Sequence, residues 1–142
     1  MRYNNNDILT GTDGRVWVND ELEYMVTKIE LKQTGNFEDV KLVGDTATHK
    51  KFQNWSGEGT LEMLKVGSKY NKSIAEAYKT GIMPDTHIDT AVNKNYTGEK
   101  EHVRVLGVQF SENPFGFEGG GNQTLSLSFS FDDLEFLSEI NG

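Results

Sequence analysis

Cysteine is missing from all 142 residues. Thiol catalysis, a cysteine-ligated zinc or iron–sulfur centre and a disulfide framework are thereby excluded, and the composition suits a reducing compartment. Long apolar runs are missing too. None nears the roughly 20 residues that span a bilayer, and residues 1–20 hold no apolar stretch of the signal-peptide kind. Positive charge is scarce: 14 Lys and Arg stand against 22 Asp and Glu, a net charge of −8. A groove that grips nucleic acid by phosphate neutralisation needs clustered cations, so such a groove is not expected. What remains is a soluble, acidic chain of one domain, residues 1–142, with no internal repeat and no linker. At this size a fold buries roughly 68–70% of its unfolded surface, enough for a core without staples.

The hydrophobic pattern is mainly that of strands. Met1–Asn6 is polar, and residues 1–8 read as a loose N-terminal arm. Arg15–Val18 reads as a strand, Asn19–Glu21 as a turn and Leu22 onward as the next strand. Met25, Thr27, Ile29 and Leu31 then alternate with Val26, Lys28, Glu30 and Lys32, and Gly59, Leu61 and Met63 alternate with Glu58, Thr60 and Glu62. Period two with one polar face marks a half-buried strand. The polar segment Gly35–Ser56 between them, carrying Phe52 and Trp55, reads as a long loop, and loops of that length are usually functional or disordered. Lys69–Thr80 reads as a helix. Ser68 is its expected cap, Tyr70, Ile74, Ala77 and Tyr78 form its apolar stripe, and Gly81 and Pro84 end it. His87–Tyr96 is a weaker strand. Glu101–Phe110 changes parity at Leu106–Gly107, as a one-residue bulge would make it do. Asn113–Gly121 is a glycine-rich tip bearing Phe115 and Phe117. In the final strand Leu125, Leu127, Phe129 and Phe131 alternate with Thr124, Ser126, Ser128 and Ser130, and an acidic, aromatic segment from Asp132 to Leu137 follows.

No chemistry-bearing pattern emerges. His49, His87 and His102 lack metal-motif spacing, and His87-x-Asp89 would supply at most two ligands on one strand face. Glu58/Glu62 and Asp132/Asp133 read as solvated strand edges more readily than as an acid–base pair across a cleft. Gly119–Gly121 is followed by no Lys-Ser/Thr and no helix, so it is not a phosphate loop. The Asn-x-Ser/Thr triplets at Asn54, Asn71, Asn95 and Asn122 read as chance matches. Neither catalysis nor a cofactor or metal is expected.

Several pieces, taken in order, resemble a known family. They are Leu9-Thr10-Gly11-Thr12-Asp13-Gly14-Arg15-Val16-Trp17-Val18-Asn19-Asp20-Glu21, Gly57–Leu61 leading into Val66–Tyr70, Lys79–Pro84, Glu101–Val105, and the ending Phe129–Phe136. Together they resemble contractile-tail tube proteins, nearest to those of PBSX-type defective prophages and R-type bacteriocins. The chain departs from that pattern at Pro114–Gly121 and at His102.

The resemblance implies a mainly β (β+α) fold: an antiparallel β-sandwich or barrel of tail-tube type, similar to the type VI secretion tube protein, with one flanking helix near 69–80 and a long loop between early strands. It also implies self-assembly into hexameric rings stacked as a hollow tube, with a tail sheath protein and a baseplate initiator as partners. DNA would pass through without specific binding, or the tube would pierce a target envelope. The monomer would not insert into a membrane, and its place would be the virion tail, or the bacterial cytoplasm before assembly. On this reading Lys28, Glu30, Lys32, Glu58, Thr60, Glu62, Ser126, Ser128 and Ser130 face the lumen. Val43, Asp45, Thr46, His49, Lys50, Lys51, Phe52 and Trp55 belong to a ring-stacking loop over Val40–Ser56. Two alternatives stay open: a carbohydrate-binding β-sandwich using Trp55, Phe115 and Phe117, and a tube-like baseplate initiator.

Overall fold

The computed structural model describes residues 14–94, 99–117 and 119–140. The expected arm at 1–8 and the Asn95–Tyr96 end of the fifth strand lie outside them. The elements are β1 (Gly14–Val18), β2 (Glu21–Leu22), β3 (Val26–Val40), β4 (His49–Leu64), α1 (Lys69–Thr80), β5 (Ile88–Lys94), β6 (Glu99–Leu106), β7 (Gln109–Phe110), β8 (Thr124–Phe131) and β9 (Asp133–Ser138). They form two antiparallel sheets. One has the order β2-β1-β5-β6-β9, the other β3-β4-β8-β7. This is the mainly β, one-helix architecture expected from the sequence.

The core lies between the sheets and is capped by α1. From the four-stranded sheet come Leu61, Met63 and the alternating Leu125, Leu127, Phe129 and Phe131; from the five-stranded sheet come Val16, Val18, Ile88 and Val105; the helix adds Ile74. Burial of this kind stabilises by roughly 25 cal/mol per Å² of apolar surface. Glycines in β4 make room for the large rings opposite them. Gly57 pairs with Phe131 and Gly59 with Phe129. A side chain at Gly59 would meet the Phe129 ring and, 2.8 Å away, the Glu30 carbonyl.

Local chemistry explains the turns. Asn19 and Asp20 both take positive φ (50° and 69°), which closes a two-residue hairpin of the primed type whose twist matches the strands. Asn and Asp tolerate that region best among residues other than glycine. Helix α1 has the expected span, and Gly81 ends it at φ 72° with its N–H donating to Ala77 O at 2.9 Å. Ser68 departs from expectation. Its hydroxyl makes no cap bond, and its carbonyl instead accepts from Lys72 N–H at 2.9 Å.

Three further expectations are corrected. A bulge between Val26 and Lys28 shifts the register, so Val26 pairs with Met63 and Lys28 with Glu62. Val26 thereby packs on the core with Ile29 and Leu31, while Met25 and Thr27 lie exposed instead of sharing that face. The parity change at Leu106–Gly107 is not a bulge within one strand. β6 belongs to the five-stranded sheet and β7 to the four-stranded one. The chain turns the corner at Gly107, φ 66°, where a side chain would strike Asp132. At the same level β8 passes into β9, and Asp132 N–H donates to Leu106 O at 2.9 Å.

The third correction concerns Gly35–Ser56. Only residues 41–48 lie outside strands; the ladder runs from Val26–Met63 to Val40–His49. The pair β4–β8 ends at Gly57–Phe131. Seven β3 residues, Thr34 to Val40, therefore continue beyond the sandwich as a two-stranded arm, roughly 20 Å long at about 3.3 Å per residue. An arm with no layer packed on it needs no apolar face, so its sequence shows no period two. Cross-strand pairs hold it instead. Asn36 Nδ2 donates to Asn54 Oδ1 at 2.7 Å, Gln53 Nε2 to Glu38 Oε2 at 2.8 Å and Lys50 Nζ to Asp39 Oδ1 at 2.6 Å. Phe37 and Phe52 meet edge-on with centroids 5.6 Å apart.

Candidate functional site

The outer face of the four-stranded sheet is a regular polar grid. Ladder registers align Lys28 with Glu62 and Ser126, Glu30 with Thr60 and Ser128, and Lys32 with Glu58 and Ser130. All nine residues singled out in the sequence thus share one surface. None is buried. Two lysines stand against three glutamates, and Lys28 Nζ lies 3.6 Å from Glu30 Oε2 on its own strand. Such exposed pairs add little stability; their consequence is local neutralisation. The serine column carries no charge. Sequence reasoning missed Ser111, whose Oγ donates to Ser128 O at 3.1 Å and extends the grid past β7. The alternation Gln109-x-Ser111 was the available signal, obscured by the neighbouring change of sheet.

Among the described residues the edges of this sheet are the long β3 and the short β7 beside β8. Among the described residues no strand pairs with the outer side of β3. At the opposite side β7 pairs with Phe129 and Ser130 of β8, and the following Ser111 N–H donates to Ser128 O at 2.9 Å. The β8 edge from Thr124 to Leu127 thus has no strand partner on that side among the described residues. Unpaired backbone of this length is a template for another strand.

The arm holds the second predicted set. Val43, Asp45 and Thr46 lie in the connecting segment, whereas His49, Lys50, Lys51, Phe52 and Trp55 stand on β4. At the tip His49 Nε2 lies 2.6 Å from Asp45 Oδ2, and Ala47 N–H donates to Asp45 Oδ1 at 2.9 Å. These hydrogen bonds hold the Asp45 carboxyl below its ordinary range, the His49 contact first. Phe52 is exposed. Trp55 is not. It is half-buried on the core, with its ring centroid 6.2 Å from that of Phe131.

The groups weighed for catalysis or metal are engaged elsewhere. Asp89 is buried and receives Arg104 Nε and Nη2, each at 2.9 Å, with His102 Nε2 at 3.2 Å. Burial pushes the Asp89 carboxyl up, but the bonds from Arg104 and His102 outweigh it and leave it below its ordinary value. His87 faces Asp20 at 3.1 Å. Glu58 and Glu62 occupy separate rungs of the grid, and the shallow depression on this face is lined by Glu58 but not by Glu62. Among the described residues no three metal-ligating side chains converge.

The Asp89 cluster gives a pH test with a definite sign. A carboxyl lowered in the folded state adds stability above its unfolded value, near 3.9, and loses it as pH falls through the folded value. Exchanging Arg104 for methionine leaves Asp89 buried without its bidentate partner. The variant should unfold at a lower urea midpoint at pH 7, with the gap to the unaltered chain narrowing toward pH 4 as Asp89 takes a proton. A gap that stays constant with pH would show that the guanidinium contributes packing alone.

No curated protein matches the chain in sequence. Among solved structures it is similar to a chain of the sheath/tube terminator structure of the extracellular contractile injection system PVC in its extended state (TM-score 0.72, 12% identity, 92% of this chain and 97% of that one). It is likewise similar to a chain of the PVC sheath–tube complex (0.70, 11%, 93% and 93%) and to one of the anti-feeding prophage cap (0.70, 12%, 98% and 94%). Each match is to one chain of a multi-component structure, and at such identities the likeness is one of fold. Residues 1–138 match the family described as "Phage tail tube protein". With that match over nearly its full length, the chain belongs to the phage tail tube protein family.

Proposed function

We propose that this chain is the structural subunit of a contractile tail tube. Its copies join edge to edge into hexameric rings that stack within a sheath, and the single tube-forming domain spans residues 1–142. The observation that carries the reading is the polar grid on a sheet whose two edges are both available. Joining the long β3 side of one copy to the β7–β8 side of the next covers both edges of the four-stranded sheet once the ring closes. The grid then lines the bore. Its lysines are offset by glutamates and its serine column is neutral, so a polyanion finds no cation cluster to hold it. The same wall suits a tube that pierces an envelope. The arm reaches past the end of the sandwich, where a second ring would sit, and head-to-tail contact of that kind propagates without closing. Catalysis and cofactors have no part in this function. Sheath and baseplate initiator are the partners, and the virion tail is the destination of a chain first made in the bacterial cytoplasm.

Negative-stain microscopy of concentrated protein, alone and with sheath and initiator supplied, should show six-fold rings or tubes. A chain that stays monomeric under every one of these conditions overturns the reading. A second reading is a terminal or baseplate tube component, since chains of a sheath/tube terminator structure and of a cap structure share this fold. Stoichiometry in purified particles decides between them: many copies per particle for the tube, a few for a terminal ring. Carbohydrate binding loses its best anchor, because Trp55 packs on the core.

A further inference from the structure

The arm and the glycine-rich segment 113–121 stand at opposite poles of the four-stranded sheet. At one pole β3 and β4 run on past the last β8 pair, Gly57–Phe131. At the other, Leu64 pairs with Thr124 and Lys65 N–H donates to Gln123 O at 2.8 Å, at the foot of that segment. Each pole carries an uncovered aromatic pair. On the arm, Phe37 and Phe52 are 59% and 51% exposed. They lie on the core side of the sheet, since a side chain at Gly35 would point into both rings. They thus prolong the apolar stripe of Phe131 and Trp55 beyond the layer that covers it. At the other pole Phe115 and Phe117 are 79% and 88% exposed, beside a groove of about 420 Å³ bounded by Lys65, Pro114 and Ser126.

The receiving segment is built to adapt at its tip and to stay fixed at its root. Asn71, buried in α1, donates through Nδ2 to Asn113 Oδ1 at 2.8 Å and to Pro114 O at 2.7 Å. Beyond that clamp Gly116, Gly120 and Gly121 take positive φ, and the space around them is open. Backbone of this kind can reshape around an incoming ring at little steric cost.

We infer that Phe115 and Phe117 of one copy receive the Phe37–Phe52 face of the arm from a copy in the adjoining ring. The inference rests on the tube reading above and names the contact that stacks its rings. Head-to-tail stacking brings the arm pole of one copy to the glycine-rich pole of the next, and both aromatic pairs are then covered everywhere except at the tube ends. Exposed aromatics of this type serve as interface anchors and pair with anchors on the partner.

The cysteine-free chain makes a clean test, because only introduced thiols can cross-link. A chain carrying both Phe52→Cys and Phe115→Cys should, on oxidation after assembly, give a ladder of covalent multimers on a non-reducing gel. Either exchange alone should give monomer. Phe115→Ser with Phe117→Ser should leave rings intact but shorten mean tube length at least tenfold. Tubes of ordinary length from that pair of exchanges, or dimers from a single cysteine, overturn the contact while leaving the tube reading standing. If the unaltered chain forms neither rings nor tubes with its partners present, both fall together.

Discussion

Exchanging Leu127 for alanine should lower the free energy of unfolding by about 3–5 kcal/mol, the upper part of the range for a buried leucine. Leu127 has no exposed surface and lies opposite Leu61, which has none either. The neighbouring layers are strands locked in ladders, so little collapse into the cavity is available. Against a total of roughly 5–15 kcal/mol for a domain, the loss is a large share of all the stability there is. The informative control is one residue away. Ser128→Ala changes a group on the polar grid and should stay within about 0.5 kcal/mol. Urea unfolding of both variants measures the two sides of one strand. A larger cost at Ser128 than at Leu127 would mean that the serine column faces inward, and the bore assignment would fail with it.

The second large effect concerns passage through the bore. Replacing Glu30, Glu58 and Glu62 by lysine turns two lysines against three glutamates into five uncompensated cations per copy. Each phosphate neutralised on duplex DNA releases counterions, and about 6–10 such contacts make affinity fall roughly 10³–10⁵-fold between 50 and 200 mM salt. Tubes built from the triple variant should therefore retain duplex DNA at the lower salt and release it at the higher. Tubes of the unaltered chain should retain none at either. The corresponding glutamine exchanges should retain DNA only weakly, because two lysines remain. Nuclease protection of the retained DNA tells interior from exterior binding. If the lysine variant assembles and still holds no protected DNA, the grid does not line the bore.

Where the physics that shaped the sequence was local and one-sided, the residues alone were enough. β8 separates apolar core from small hydroxyls at every step, so its two faces are legible from the alternation itself, as are those of β4 from Gly57 to Met63 and of β3 from Lys28 to Lys32. Helix α1 was equally legible, because its stripe and its terminal glycine act within one segment. The arm was not. Its strands are held by cross-strand pairs such as Asn36–Asn54 and Asp39–Lys50, and pairing across 11 to 18 residues leaves no periodic trace along the chain. The bulge at Thr27 hid for a related reason: one inserted residue moves Val26 to the core while the polar–apolar alternation along the chain continues unbroken. At Leu106–Gly107 the parity change was visible, but a bulge and a change of sheet produce the same pattern. Only the placement of β6 and β7 in different sheets tells them apart. Ser68 was misjudged because a hydroxyl in the capping position does not guarantee the backbone angles a cap requires.

The paired corners at Gly107 and Asp132 have a mechanical consequence. Two successive connections leave one layer for the other at the same height, tied to each other through the bond from Asp132 N–H to Leu106 O. Sliding of the layers past one another would have to stretch peptide backbone, since side-chain contacts are not all that links them at this rim. Force arriving on the grid side is handed through covalent bonds to β9, on the far margin of the opposite layer. Relative sliding of the two layers is therefore resisted by backbone as well as by side-chain packing at this rim.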